Sequence, residues 1–309
     1  MKNCNRWYSF LVVFLSVVLC SCSNEKRETL TSGSLTMLTS EDVFPVIDIQ
    51  VSDFQRMYDQ VKIKNSSVSS REAIVQLLND SVKLIVCARE FNAEEKSVIA
   101  KNELEIDSIK VAFDGIAVIV NQKNSLARLT TAELRQILTG EVKRWPGVNG
   151  SNLSSAVVIA AGDKNSGVHE FLRTRLLNGG EISGDLVPCA GSEDVFTVVK
   201  DHPNTIGFVS LAWLSKMPEE LRVLEIGDPA FRRDSSAAEL EYFTPHQAHI
   251  YRKYYPLSRT IYLYALNVGK GPGLGFMSFA ASSDGQKIIV SNGLVPATMP
   301  VRLVQLNTP

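Results

Sequence analysis

Three short polar clusters stand where apolar runs give way to amphipathic ones: Ser40, Ser69-Ser70 and Asn165-Ser166-Gly167. Each lies at the start of a predicted helix. The first N–H groups of a helix lack intrahelical acceptors, and the helix dipole adds positive potential there, so main-chain donors at such starts can grip an anion. The same residue types cap helices that bind nothing, so for any one cluster alone both readings stand. Arg89 follows the apolar run 84–88. Its guanidinium offers two parallel donors, either to an oxyanion or to a neighbouring acid, Glu90 or Glu94.

The elements that must position these groups are written in the hydrophobic pattern. Residues 34–38 read as a strand and 45–58 as a helix with Val46, Ile47, Val51, Phe54 and Met57 on one side. A short strand follows at 61–63, then a helix at 69–79 opened by Ser69 with Glu72 three residues on. The run 84–88 reads as a strand covered on both faces. Downstream come a strand at 116–120, a helix at 130–138 capped by Thr130, a strand at 157–161 and a helix at 168–177. A further helix–strand step covers 195–209, a surface excursion 228–250, a strand 261–264 and a final helix 276–290. This alternation predicts α/β architecture.

The N-terminus carries an address. Lys2 and Arg6 precede an apolar run, 7–19, that ends in Leu19-Cys20-Ser21-Cys22. That run is shorter than the ~20 residues a membrane span needs, so it reads as a secretory signal, 1–21. The last four residues resemble a bacterial lipobox with Cys22 as the acylated residue, because small Ser21 precedes it. The polar stretch 22–33 is then a lipidated linker. An oxidising compartment permits a bridge between Cys87 and Cys189, but Cys87 sits in an apolar run, and two buried thiols are expected.

Several function classes fall away. With 32 Lys+Arg against 33 Asp+Glu, the net charge of −1 gives nucleic acid no basic surface. Metal-spaced Cys/His clusters, a Gly-x-Ser-x-Gly elbow and a phosphate-binding P-loop are missing from the sequence. No cofactor and no metal are expected. A nucleophile beside a base is suggested only by His169 next to Glu170, and His169 is expected to face solvent.

Residues 114–121 (DGIAVIVN), 129–142 (LTTAELRQILTGEV) and Trp145 resemble the periplasmic phosphate-binding proteins of ABC importers, as do 206–210 (IGFVS), 255–259 (YPLSR), Gly285-Gln286 and 293–296 (GLVP). The likeness extends over about 34–304. It implies the two-lobed type 2 periplasmic-binding-protein fold of α/β class, with lobe 1 from 34–116 and 258–309, lobe 2 from 117–257, and two hinge crossings. It also implies that Ser40, Ser69, Ser70, Arg89, Asn165, Ser166 and Gly167 line the cleft. The ligand would be inorganic phosphate or another small oxyanion, handed to a membrane importer permease. The protein would face the periplasm, held on the bilayer through acylated Cys22.

The chain departs from that family at charged positions. Asp163 stands where the family carries an anchoring arginine, Val168 where it has a hydroxyl, and Glu41 and Asp42 where it has uncharged threonines. Like charges about 4 Å apart repel by about 4 kcal/mol at an effective dielectric of 20. Lys164 is one replacement for the missing arginine. The acids also motivate an alternative: an envelope accessory or sensory lipoprotein of the same fold, binding a non-phosphate ligand or a protein partner.

Overall fold

Small polar and apolar residues alternate into β1 (Gly33–Ser40), and Pro45 in the first turn of α1 (Phe44–Met57) supplies the fixed φ that suits a helix start. The two are joined by a single 3-10 turn, Glu41–Val43. A computed structural model of the chain describes residues 28–233 and 239–299; the signal segment and Cys22 lie outside them. Val46, Ile47, Val51 and Phe54 bury one face of α1. Phe54 packs on Phe276 and Phe279 at ring distances of 5.8 and 5.3 Å. Each such buried side chain contributes about 1.5–3 kcal/mol.

The chain continues through β2 (Val61–Val68), α2 (Ser70–Leu78), β3 (Leu84–Cys87), α3 (Ala93–Lys101) and the 16-residue β4 (Ile106–Asn121). Then follow β5 (Arg128–Thr130), α4 (Thr131–Leu138), β6 (Val158–Gly162), α5 (Gly167–Leu176), β7 (Leu186–Cys189), α6 (Ser192–Asp201) and β8 (Thr205–Ser210). Short strands β9 (Leu221–Val223), β10 (Glu225–Gly227) and β11 (Tyr242–Phe243) precede α7 (Gln247–Tyr251) and β12 (Ser258–Leu266). Helices α8 (Pro272–Ala281) and α9 (Ser283–Ser291) and strand β13 (Val295–Pro296) complete the described chain.

The main sheet runs β2-β1-β3-β12-β4-β8-β6-β7. Parallel pairing of β2, β1 and β3 fills one half, and of β8, β6 and β7 the other. Strand β4 serves both halves. Its residues Ile106 to Gly115 pair with β12, and Ile116 to Val120 pair with β8. The segment before β12 runs beside it: Ile116 N–H donates to Leu257 O at 2.8 Å, and the buried Tyr255 hydroxyl donates to Ile116 O at 2.6 Å. In open α/β sheets the loops after parallel strands gather where ligands bind. Here those loops follow β1, β2, β6 and β7.

The element pattern departs from expectation in several places: β4 begins ten residues before the strand expected at 116–120, β7, β9, β10 and β13 were not expected, and β11 and α7 fall in the expected surface excursion. The short strand at 61–63 runs on to Val68, because its polar residues Asn65, Ser66 and Ser67 still pair with β1. The single helix expected at 276–290 is two, broken at Ser282, whose hydroxyl caps α9 by accepting from Gly285 N–H. Helix α3 was not anticipated, although Asn92 and Glu95 form a reciprocal capping box at its start. Its hydrophobic stripe is too weak to register, and none of its residues is buried. Cys87 and Cys189 are free, buried thiols on β3 and β7, in different halves of the sheet. Burial pushes their pKa values up to about 12 and about 11. Among the described residues no helix is long and apolar enough to cross a membrane.

Candidate functional site

The loops after β1, β2, β6 and β7 enclose a cavity of about 170 Å³ lined by Glu41, Asp42, Ser69, Ser70, Ser166 and Gly167, among others. At roughly 30 Å³ per water it has room for a five-heavy-atom oxyanion. Ser40, the last residue of β1, turns its buried hydroxyl onto the Ser70 hydroxyl at 2.8 Å. Ser69 caps α2 by accepting from Glu72 N–H at 3.2 Å, and Ser166 caps α5 by accepting from His169 N–H at 3.1 Å. These caps leave Ser70 and Gly167 as the first residues of their helices. A Cβ on Gly167 would lie 2.6 Å from both Ser70 Oγ and Asp42 Oδ2, so only glycine lets the α5 backbone approach this closely. Arg71 N–H donates across to Asn165 O at 3.1 Å, fastening the α2 and α5 starts to each other.

Behind Asp42 lies a buried ionic cluster. Arg259, 8% exposed at the start of β12, donates through Nε to Asp114 Oδ2 at 2.9 Å. Its Nη2 lies 2.8 Å from Asp114 Oδ2 and 2.8 Å from Asp42 Oδ2. Asp114 is fully buried, and Asp42 is 2% exposed. Burial works against the Arg259 charge, but Asp42 and Asp114 more than restore it, so its pKa rises. Burial outweighs Arg259 at Asp114 and raises that carboxyl. The Asp42–Arg259 contact is a charge contact without hydrogen-bond alignment. Both Asp42 oxygens and both Arg259 terminal nitrogens are buried with no aligned hydrogen-bond partner.

Glu41 reaches the opposite wall. Helix α6 begins after Gly191, which has no side chain to cap it. Glu41 takes that role from the loop after β1, accepting from Ser192 N–H at 2.8 Å, with the Ser192 hydroxyl at 3.3 Å. Trp213 Nε1–H donates to Glu41 O at 3.0 Å. Burial, reinforced by Asp42, raises the Glu41 pKa to about 7 against the pull of the Ser192 amide and Arg259.

The structure thus brings Ser40, Ser69, Ser70, Ser166 and Gly167 together, but not Arg89, and Asn165 lines the outer cleft beside it. Arg89 makes a bidentate pair with Glu95 at 2.7 and 2.8 Å and donates to Glu90 O at 2.9 Å. Its acid partner is Glu95, not Glu90 or Glu94, because the α3 capping box turns Glu95 back toward the strand end. Lys164 lines an outer cleft with Arg89, Arg71 and Arg173 instead of the cavity. Asp163 folds onto its own turn, accepting from Asn165 N–H at 2.9 Å. His169 is buried, contrary to the expected solvent-facing position. Its Nδ1 lies 3.3 Å from Gly162 O, and burial lowers its pKa, while the neighbouring Glu170 pairs with Arg173 at 3.3 Å. Neither His169 nor Glu170 is thus placed as a base against a nucleophile.

Arg259 and Asp114 are the site residues that sequence reasoning passed over as family markers. A signal was present: each is a lone charge inside a strand of apolar neighbours, and buried charges need partners.

Many known proteins resemble this chain. The profile of the PBP superfamily domain matches residues 24–284. The phosphate-binding protein PstS of Pseudomonas aeruginosa is 22% identical over 292 residues, covering 89% of this chain and 85% of its own. Its namesake in Borreliella burgdorferi is also 22% identical, over 92% and 96%. Among solved structures, a phosphate-bound protein from Clostridium perfringens superposes with a TM-score of 0.71 at 19% identity, covering 86% of this chain and all of that one. An ABC-type phosphate transport receptor from Vibrio cholerae gives 0.64 at 19% identity, again over 86% and 100%. These neighbours share the fold, that of type 2 periplasmic binding proteins, with its two hydrogen-bonded strand segments joining the halves. With the profile spanning most of its length, this chain is a member of the PBP superfamily.

Proposed function

We propose that the chain is a substrate-binding protein that captures inorganic phosphate, or a closely related small oxyanion, for an ABC-type importer. The carrying observation is the convergence of Ser40, Ser70 and Gly167, with the α2 and α5 starts on opposite walls of one cavity. Main-chain amides and serine hydroxyls supply donors there, with Arg259 behind Asp42, and the relatives named above are phosphate-binding proteins. Glu41 and Asp42 do not turn the cavity into a cation site, since the Ser192 amide and Arg259 already engage them. Binding, not catalysis, is the role that this chemistry supports.

In this reading residues 34–116 with 258–309 form one lobe and 117–257 the other, hinged at the two crossings beside Ile116 and Leu257. Hinge closure then sequesters the anion. The segment 1–21 is removed on export and Cys22 is acylated, so the domain hangs by the linker 22–33 on the periplasm-facing side of a bacterial membrane. Titration calorimetry with phosphate, sulphate and molybdate tests the ligand. Phosphate heat that disappears in Gly167→Ala is the expected result; no heat with any of the three ends the proposal. Labelled palmitate incorporated by wild type but not by Cys22→Ala is the expected outcome for the anchor.

A further inference from the structure

The acid that most disturbs an anion site is also the best-held group in it. Asp42 Oδ2 lies 2.8 Å from Arg259 Nη2 and 2.6 Å from where a Gly167 Cβ would stand, beside the Ser70 hydroxyl. Any oxyanion drawn to the start of α5 meets the same arginine, the same hydroxyl and the same glycine. The carboxylate is nearly fully buried, yet neither oxygen has an aligned hydrogen bond, and Arg259 Nη1 points into the same space without one, 3.3 Å from the Gly167 Cβ position. Donors and acceptor are therefore in place but imperfectly matched, as expected where a carboxylate on a short tether stands in for a freely oriented tetrahedral anion.

We infer that Asp42 is a tethered anion: it holds the place of the ligand's oxyanion against Arg259 and must be displaced for phosphate to bind. The inference rests on the oxyanion-binding reading above for its competition arm only. The tether is one 3-10 turn, Glu41–Val43, between the end of β1 and α1, so a small rotation moves Asp42 on or off Arg259. Glu41 on the same turn reaches across to the α6 start in the other half. The groups facing Asp42 are Arg259 and Asp114 from the strands, Glu41 from its own turn, and Ser70 and Gly167 from the helix starts. A ligand entering this set adds negative charge beside two carboxylates matched by one guanidinium. Affinity should therefore be set by how readily Asp42 gives way.

The test uses purified protein with Asp42→Asn and Asp42→Ser, each checked for a cooperative melt, in phosphate-free buffer. Removing the tethered charge should raise phosphate affinity at least about tenfold by calorimetry. Acetate, a free carboxylate, should raise the melting temperature of Asp42→Ser but not of wild type. If the variants bind phosphate no better than wild type, or if acetate stabilises wild type as much as Asp42→Ser, the inference is overturned. If no protein shows heat with phosphate, the ligand assignment falls, while the acetate arm still decides the tethered anion.

Discussion

Two clefts of this molecule invite an anion, and they are built on opposite principles. The outer one, about 600 Å³, carries Arg71, Arg89, Lys164 and Arg173, but with Glu94, Glu95 and Glu170 among them. Arg89 is bound to Glu95 and Arg173 to Glu170 and Glu181. The inner cavity, about 170 Å³, has serine hydroxyls and the starts of three helices, its acids Glu41, Asp42 and Asp163 come from the loops after β1 and β6, and one guanidinium, Arg259, stands behind Asp42. Counting basic side chains points to the outer cleft; counting donors left to a guest points to the inner one. A cation already neutralised on a wet surface adds little attraction. Main-chain amides keep a geometry fixed by the fold, although the α6 start is already taken by Glu41.

The sharpest way to break the contrast is Arg259→Met. It removes the lone cation between Asp42 and Asp114 and leaves two buried carboxylates facing each other. Breaking a buried cluster by removing one partner typically destabilises by about 3–5 kcal/mol. A fall of that size in urea-unfolding stability is expected, together with loss of phosphate binding. Adding Asp42→Asn should recover part of the stability by removing one orphaned charge. A loss below about 1 kcal/mol, the scale of an exposed pair, would put the inner cluster on the same footing as the outer one and dissolve the distinction.

That contrast also marks what the sequence made legible. Caps read well because a cap is local: Ser69 with Glu72 and Thr130 with Glu133 are set within one turn of chain, and the second closes as a full box while at the first Ser69 accepts from Glu72 N–H and Glu72 does not reach back. The parallel strands read well because burial on both faces writes a continuous apolar run, as in β3. The convergence of three helix starts was legible only through the family resemblance, since the contact between Ser40 and Ser70 joins strand ends whose order in the sheet no local pattern records. Charge partners were the least legible. Arg89 is six residues from Glu95, and a capping box decides the pairing; Arg259 is separated by 145 residues from Asp114 and meets it only through strand pairing.

Acidity separates the two regions more gently. Folded Glu41 keeps its proton up to about pH 7, whereas the model carboxyl releases it near 4.5. The native state therefore binds more protons between those values, and stability falls as pH rises through this window. Between pH 5 and 8 the loss attributable to Glu41 is up to about 2 kcal/mol, allowing for its remaining exposure. Asp114, also raised, acts in the same direction; His169, lowered by burial, acts in the opposite one. The measurement is thus the difference between wild type and Glu41→Gln across urea titrations at several pH values. The variant should keep its stability from pH 5 to 8 where wild type loses it. Parallel curves would mean that the α6 start holds Glu41 ionised throughout.

The smallest expected effect lies at Arg89. Its side chain is only 12% exposed and its pair with Glu95 is bidentate, so Arg89→Ala is not silent for the fold. Glu95 also accepts the Asn92 N–H at 2.8 Å, and losing its partner loosens the start of α3. A half-buried charged hydrogen bond of this kind corresponds to about 1–2 kcal/mol. Phosphate affinity should nevertheless stay within about twofold of wild type, since the guanidinium is committed to Glu95 and does not line the inner cavity. Calorimetry at low and high salt checks both parts, because any long-range steering by Arg89 would appear at low salt and vanish at high. A loss beyond tenfold that persists in high salt would place Arg89 against the ligand and move the anion site outward, undoing the division between the two clefts.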